Sequence, residues 1–274
     1  MAEEIITLKD KKYTYVFIYV GIFFIYNTIL QYFAESKNIT FINSFPFRFF
    51  HKTATIIICI YALKKIGFKK DFYLKSSYTI SAICVFSIIF NYTQTYKALF
   101  FKNPDVDLCE FLFFSLNCLA TGTFEEILMR VLLFLSLVHY FNHNVKKVKY
   151  WKYILVTSFI FGVMHLSHIF SYDVESILTQ VIFATLAGIL FQSLLIRFNN
   201  IFVVITIHTL INFNGMVYHY FLPDNNTPSL PNAYTFQDFI LQLILASIIV
   251  LISYLLVRNV DISSKVFVKK IQGV

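Results

Sequence analysis

Charge is scarce in this chain of 274 residues: only 14% of them are Asp, Glu, Lys or Arg, against about 25% in an ordinary soluble domain. Glycine (7), proline (5), cysteine (4) and tryptophan (1) are scarce too. So little glycine and proline excludes a collagen-like or low-complexity chain. Cys59, Cys84, Cys109 and Cys118 lie in or at the ends of apolar runs with no C-x-x-C spacing. They read as small hydrophobes, not as a disulfide framework or zinc ligands. The alternating pattern of a membrane barrel is missing. What fills the chain is apolar: 58% hydrophobic, with 33 Phe and 18 Tyr. Several apolar stretches of about 20 residues have the length a helix needs to cross a bilayer core.

The expected fold is therefore all-α, a polytopic membrane helix bundle forming a single integral domain over 1–274. About eight transmembrane helices are expected, at 14–34, 49–63, 77–100, 108–141, 152–170, 175–196, 200–222 and 236–257. The second is short and is expected to borrow Phe45 to Phe47 or to sit shallow. The first run is too long for a cleavable signal peptide, so none is expected. The fourth run exceeds one span: a straight helix from Asp107 to Phe141 would cover about 52 Å against a core of about 30 Å. A break or strong tilt is expected there, at Thr121-Gly122-Thr123. Thr123 followed by Glu126 also has the spacing of a capping box, which would make Glu126 a cap on a restarted helix.

The formal net charge is +8, but its distribution argues against nucleic acid as a partner. Most Lys and Arg cluster in the N-terminal tail (Lys9, Lys11, Lys12), in 64–75, in 146–152, at Arg197 and in the tail after Arg258. These segments alternate along the chain as cytoplasmic connections do, so both termini are expected to be cytoplasmic. The connection from Leu222 to Asp238 carries no Lys or Arg and is expected outside, as a solvated loop or a lid. Membrane lipid is the expected surrounding; nothing in the sequence reports an oligomeric state.

Against this apolar background, Thr123-Phe-Glu-Glu-Ile-Leu-Met-Arg130 stands out. A charged side chain at the centre of a membrane helix costs about 2.5–3.5 kcal/mol on insertion scales, so two carboxylates there must be paired, hydrated or used. Glu126 and Arg130 are i, i+4 and can pair. Glu125 is rotated by about 100° and stays available, which suits a general base. His165 follows Phe161 by one turn, and Asn212 follows His208 by one turn. An uncharged amide donor suits an oxyanion. His168 lies near a span end, where an interhelical hydrogen bond or solvation is the expected role, but three residues after His165 it is also placed to be a second ligand or an orienting partner. His139, His143 and His219 are expected to be ordinary span-end residues. Gly122, Gly162, Gly188 and Gly215 lie in the same runs, and Ala184 with Gly188 makes a small-residue face for close helix approach.

With E-E-x-x-x-R at Glu125 to Arg130, F-x-x-x-H at Phe161 to His165 and H-x-x-x-N at His208 to Asn212, in order on successive apolar runs, the sequence resembles the CPBP family. That family holds the CAAX proteases and bacteriocin-processing (Abi) enzymes. The resemblance covers about 120 to 215, within core helices 108–222. It implies an intramembrane endopeptidase with a peptide or membrane-protein substrate. Glu125 would activate water with His165 holding it, His208 and Asn212 would stabilise the oxyanion, and Glu126, Arg130 and Phe161 would support them. Such enzymes are often labelled metalloproteases, and Glu125, His165 and His208 would be the Zn²⁺ set if metal were used; no cofactor is expected to be required. The Phe, Ile, Lys, Asn and Tyr usage fits an AT-rich bacterial genome, hence a multi-pass protein of a bacterial plasma membrane. Bacteriocin immunity and processing of pheromone or leader peptides are the roles implied. The rival readings are a non-catalytic membrane scaffold or immunity protein, and a proton-coupled transporter.

Overall fold

A computed structural model describes residues 2–36, 44–65, 78–142, 150–170, 174–222 and 236–258. The loop lysines at 69–75, 146–149 and 265–270, His143 and the loop from 223 to 235 lie outside the described residues. So the cytoplasmic placement of the termini and the lid reading of that loop stay expectations.

Among the described residues every regular element is helical. The helices are α1 (Ala2–Ser36), α2 (Phe45–Lys65), α3 (Tyr78–Lys102), α4 (Leu108–Glu126), α5 (Phe134–Asn142), α6 (Tyr150–Met164), α7 (Val174–Phe198), α8 (Ile201–Phe221) and α9 (Phe236–Val257). A π-helical segment, Ile127–Leu133, joins α4 to α5, and a 3-10 segment, His165–Phe170, extends α6. These make eight helical rods at the positions of the eight apolar runs. Three of them, Trp151–Ile169, Val174–Phe198 and Ile201–Phe221, are long and apolar enough to cross a membrane. Large apolar side chains such as Ile22, Phe86, Phe159 and Ile182 stand on outer faces, as lipid-facing residues do.

The expected break at Thr121-Gly122-Thr123 does not occur. Helix α4 runs through it, and the irregularity comes one turn later, at Ile127. A wider i→i+5 turn absorbs an extra residue without ending the rod, so no helix restarts at Thr123 and Glu126 caps nothing. The second rod does reach back to Phe45, gaining a full helix length.

Two real caps frame the pieces that carry the motifs. Asp107 precedes α4 and its Oδ1 accepts the Cys109 N–H at 2.8 Å, satisfying a donor the helix cannot. Asn199, at φ 53°, closes α7 in the left-handed region that Asn tolerates. Asn200 then opens α8 by accepting from Phe202 N–H at 2.8 Å. This two-residue joint turns α8 back along α7.

In lipid, helices associate through close packing and not through water exclusion. Three glycines make that packing. A Cβ on Gly122 would meet Thr209 Oγ1 of α8 at 2.8 Å, one on Gly162 the Val181 carbonyl of α7 at 2.6 Å, and one on Gly188 the Ser158 Cβ of α6 at 2.9 Å. Gly215 faces open space and takes no part in packing. The buried apolar residues form two clusters. One gathers Val16, Cys59, Phe124, Leu128, Ile154, Phe161 and Ile205 with their neighbours. The other gathers Leu99, Phe111, Phe114, Cys118, Phe213, Val217 and Phe221. Along α4 the boundary falls between Cys118 and Phe124; along α8 it falls between Ile205 and Phe213. His208 and Asn212 lie at that boundary, and Glu125, Glu126 and Arg130 lie just inside the first cluster.

Candidate active site

Arg130 is the largest fully buried side chain in the molecule's described part. Its Nε donates to Glu126 Oε2 at 3.0 Å, and its Cζ stands 4.6 Å from the Phe161 ring centroid. The carboxylate cancels its charge and the ring face covers it, a cation–π contact that gains strength where water is excluded. The other oxygen of Glu126 is also taken: His208 Nδ1 donates to Oε1 at 2.7 Å. Glu126 has no solvent exposure. Two helices, α4 and α8, are thus tied by one carboxylate.

The bond at Nδ1 fixes what the rest of His208 does. Since the Glu126 carboxylate can only accept, Nδ1 carries the proton and Nε2 points the other way, to Glu125 Oε2 at 3.4 Å. Phe191 of α7, at 5.5 Å, and Phe161, edge-on at 6.0 Å, wall the imidazole. Glu125 keeps 24% of its side chain exposed. Of the two carboxylates, then, one is sealed and paired and the other is accessible.

His165 lies where α6 tightens into the 3-10 segment. Its Nδ1 donates to the Phe161 carbonyl at 2.9 Å, and the Phe161 ring meets it edge-on at 5.0 Å. That bond leaves Nε2 as an acceptor in the neutral ring, able to take a hydrogen from water. His168 packs against His165 with ring centroids 5.7 Å apart and donates from Nδ1 to Gln180 Oε1 of α7 at 3.1 Å. Asn212 is half-buried, one turn beyond His208 on α8, and makes no hydrogen bond among the described residues. His219, at the end of α8, is exposed, and the side chain of His139 is outside the described residues.

No group of three or more His, Cys, Asp or Glu is arranged to hold a metal ion among the described residues. His208 spends one nitrogen on Glu126, and His165 is not within ion-pair distance of Glu125. The other nitrogen of His208, Nε2, stands 3.4 Å from Glu125 Oε2.

Residues 107–214 match the family model of the Rce1-like type II CAAX prenyl endopeptidases. This segment is Rce1-like. The match falls on the segment that carries the three motifs, and it is a similarity to a family of CAAX endopeptidases. No curated protein matches the chain, and no solved structure does. The Rce1-like segment contains Glu125, Glu126, Arg130, Phe161, His165, His208 and Asn212, and it ends before α9.

The sequence reading missed three polar residues beside the site. Lys52, on α2 outside the Rce1-like segment, donates to Thr121 Oγ1, one turn before Glu125 on α4. Ser158 and Gln192 are the others, both fully buried with side-chain polar atoms that have no protein partner, as are Nη1 and Nη2 of Arg130. Ser158 touches Gly188 and lies one turn from Phe161; Gln192 lies one turn from Gly188. Ser158 and Gln192 lie on facing helices, α6 and α7, and ordered water is the usual partner of such buried groups. The only signal in the sequence was a Ser and a Gln inside apolar runs.

Proposed function

We propose that this chain is an intramembrane endopeptidase of the CPBP/CAAX type. It hydrolyses a peptide bond in a membrane-associated peptide or protein with water activated by Glu125. The observation that carries the reading is the division between the two carboxylates: Glu126 is fully occupied by Arg130 and His208, while Glu125 is partly exposed beside His208 Nε2 at 3.4 Å. A structural cluster needs only the first.

In this reading Glu125 takes a proton from water as the oxygen attacks the scissile carbonyl carbon. His165 Nε2 accepts the second hydrogen of that water and orients it. The carbonyl oxygen becomes an alkoxide, and the Asn212 amide donates to it, together with His208 when its Nε2 is protonated. Glu125 returns the proton to the departing amine nitrogen, so the carboxylate is regenerated. The buried Glu126–Arg130 pair keeps His208 from turning, which is the pre-organisation that such stabilisation depends on. No step requires a metal. A small peptide substrate is our choice, with bacteriocin immunity or the maturation of a pheromone or leader peptide as the biological setting in a bacterial plasma membrane.

The test is hydrolysis of a pool of short apolar peptides, with plain and farnesylated C-termini, by purified protein in detergent, with and without chelator. Cleavage by the native protein and not by Glu125→Gln, unchanged by chelator, is the expected result. Loss on chelation with recovery on Zn²⁺ overturns the metal-free mechanism. Undiminished cleavage by Glu125→Gln overturns the assignment of the base.

A further inference from the structure

The proposed chemistry gives Lys52 no part, yet its placement is unusual. It lies in the second turn of α2, half-buried, in a helix whose following residues, Thr53 to Leu63, are uncharged. A lysine so placed in a membrane helix ordinarily extends towards the lipid headgroups. This one turns inward. Its Nζ donates to Thr121 Oγ1 of α4, and that hydroxyl is itself anchored to the Asn117 carbonyl at 2.7 Å.

The charges of the site explain the inward turn. Glu126 and Arg130 cancel one another in a buried pair, and His208 in its neutral form adds nothing. Glu125 then leaves one negative charge in excess, and a carboxylate held partly away from water needs an opposite charge within reach. Thr121 and Glu125 are i, i+4 on α4, so the ammonium held by Thr121 sits one turn from the carboxylate on the same face. Of the charges acting on Lys52, Glu125 is the strongest, ahead of Arg48 one turn earlier on α2. Lys52 and Glu125 attract each other across a gap, without a salt bridge. An ammonium in direct contact would occupy a carboxylate oxygen. One tethered to Thr121 balances the charge and leaves the exposed side of Glu125 to water.

We infer that Lys52 is a positioning residue for the reaction: held by Thr121, it is the counter-charge that steadies the Glu125 carboxylate in its water-facing place. This rests on the proposed protease reading. Lys52 touches neither water nor substrate in this role. Glu125 takes a proton from water, passes it to the departing amine and returns to the anion, and the ammonium favours that return. Its effect therefore falls on kcat and not on KM. Lys52 also lies outside the Rce1-like segment 107–214, so the charge balance of the site is completed by a helix beyond that match.

The experiment uses the full chain in nanodiscs of neutral lipid, as the native protein and as Lys52→Met, Lys52→Gln and Lys52→Arg. Its first arm is hydrolysis of the short apolar peptides described above. Lys52→Met and Lys52→Gln lower kcat by about 10- to 100-fold, the worth of a unit charge roughly 6–10 Å away at an effective dielectric of about 20. KM stays within a few-fold, and Lys52→Arg, which keeps the charge, retains most of the rate. A Gln variant as active as the native protein shows that only the bond to Thr121 counts and overturns the inference. A change confined to KM, or an Arg variant as slow as Met, overturns it too. The second arm is a double-mutant cycle of Lys52→Met with Glu125→Gln, read by denaturant unfolding. Each single variant also relieves a desolvated charge, so its own midpoint moves little, but the two effects are coupled by about 3-fold or more in the unfolding equilibrium. Additive effects overturn the inference. The cycle needs no cleavage, so coupling without hydrolysis supports the charge pairing and counts against the protease reading alone.

Discussion

Glu125 and Glu126 are neighbours in the chain, yet the surroundings of one are closed and those of the other are open. Glu126 accepts from Arg130 at 3.0 Å and from His208 at 2.7 Å and has no exposed surface. Glu125 has a quarter of its side chain exposed and faces His208 Nε2 at 3.4 Å. One helical step of about 100° separates them. The contrast teaches how a membrane protein can hold a reactive carboxylate: one residue neutralises and fixes the scaffold, so its neighbour need not.

The sharpest way to break the comparison is to exchange the charges one at a time. Glu125→Gln is expected to reduce kcat by about 10²–10⁴-fold, the usual worth of a positioned general base, with thermal stability in detergent unchanged. A large fall in Tm would mean that Glu125 is structural after all. Arg130→Ala is expected to do the reverse, destabilising the fold by about 3–5 kcal/mol because it strands the buried Glu126 carboxylate. Unfolding in detergent by denaturant reads this directly, and an unchanged midpoint would show that Glu126 finds another partner.

Asn212→Ala probes the open half further. Loss of an oxyanion donor is expected to lower kcat by about 10²-fold while leaving KM within a few-fold. A change confined to KM removes Asn212 from the oxyanion. The smallest effects belong to packing. Gly162→Ala pushes a methyl group onto the Val181 carbonyl and is expected to destabilise by about 1–3 kcal/mol, whereas Gly215→Ala, which meets nothing within 4 Å, is expected to be neutral or slightly stabilising. Equal Tm values for the two variants would show that the α6–α7 contact is looser than the geometry implies.

The sequence made the rods legible because lipid leaves the backbone few choices: uncharged runs of sufficient length become helices. The Glu126–Arg130 pair was legible for the same reason that helix spacing is regular, since i, i+4 residues must be neighbours. What lay beyond reach depended on distant pairings. Lys52 meets Thr121 across 69 positions and His208 meets Glu126 across 82, and no local pattern encodes either. The wide turn at Ile127–Leu133 was misplaced to Thr121-Gly122-Thr123 because glycine is a known weak point, whereas a π turn leaves no composition behind. Gly122 is small for Thr209, and not for a kink.

The closure of Arg130 onto Glu126 has a consequence for how the protein is made. Both residues lie on one rod, four positions apart, so their bond needs no other helix. The pair can form while that single segment is still leaving the translocon, and it then enters the bilayer with its two opposite charges already cancelled. The tie to His208 follows only when α8, made some 80 residues later, arrives to dock. The order of contacts is thus built in, with local neutralisation available at insertion and the tie between helices afterwards, which fits helices that insert first and associate second.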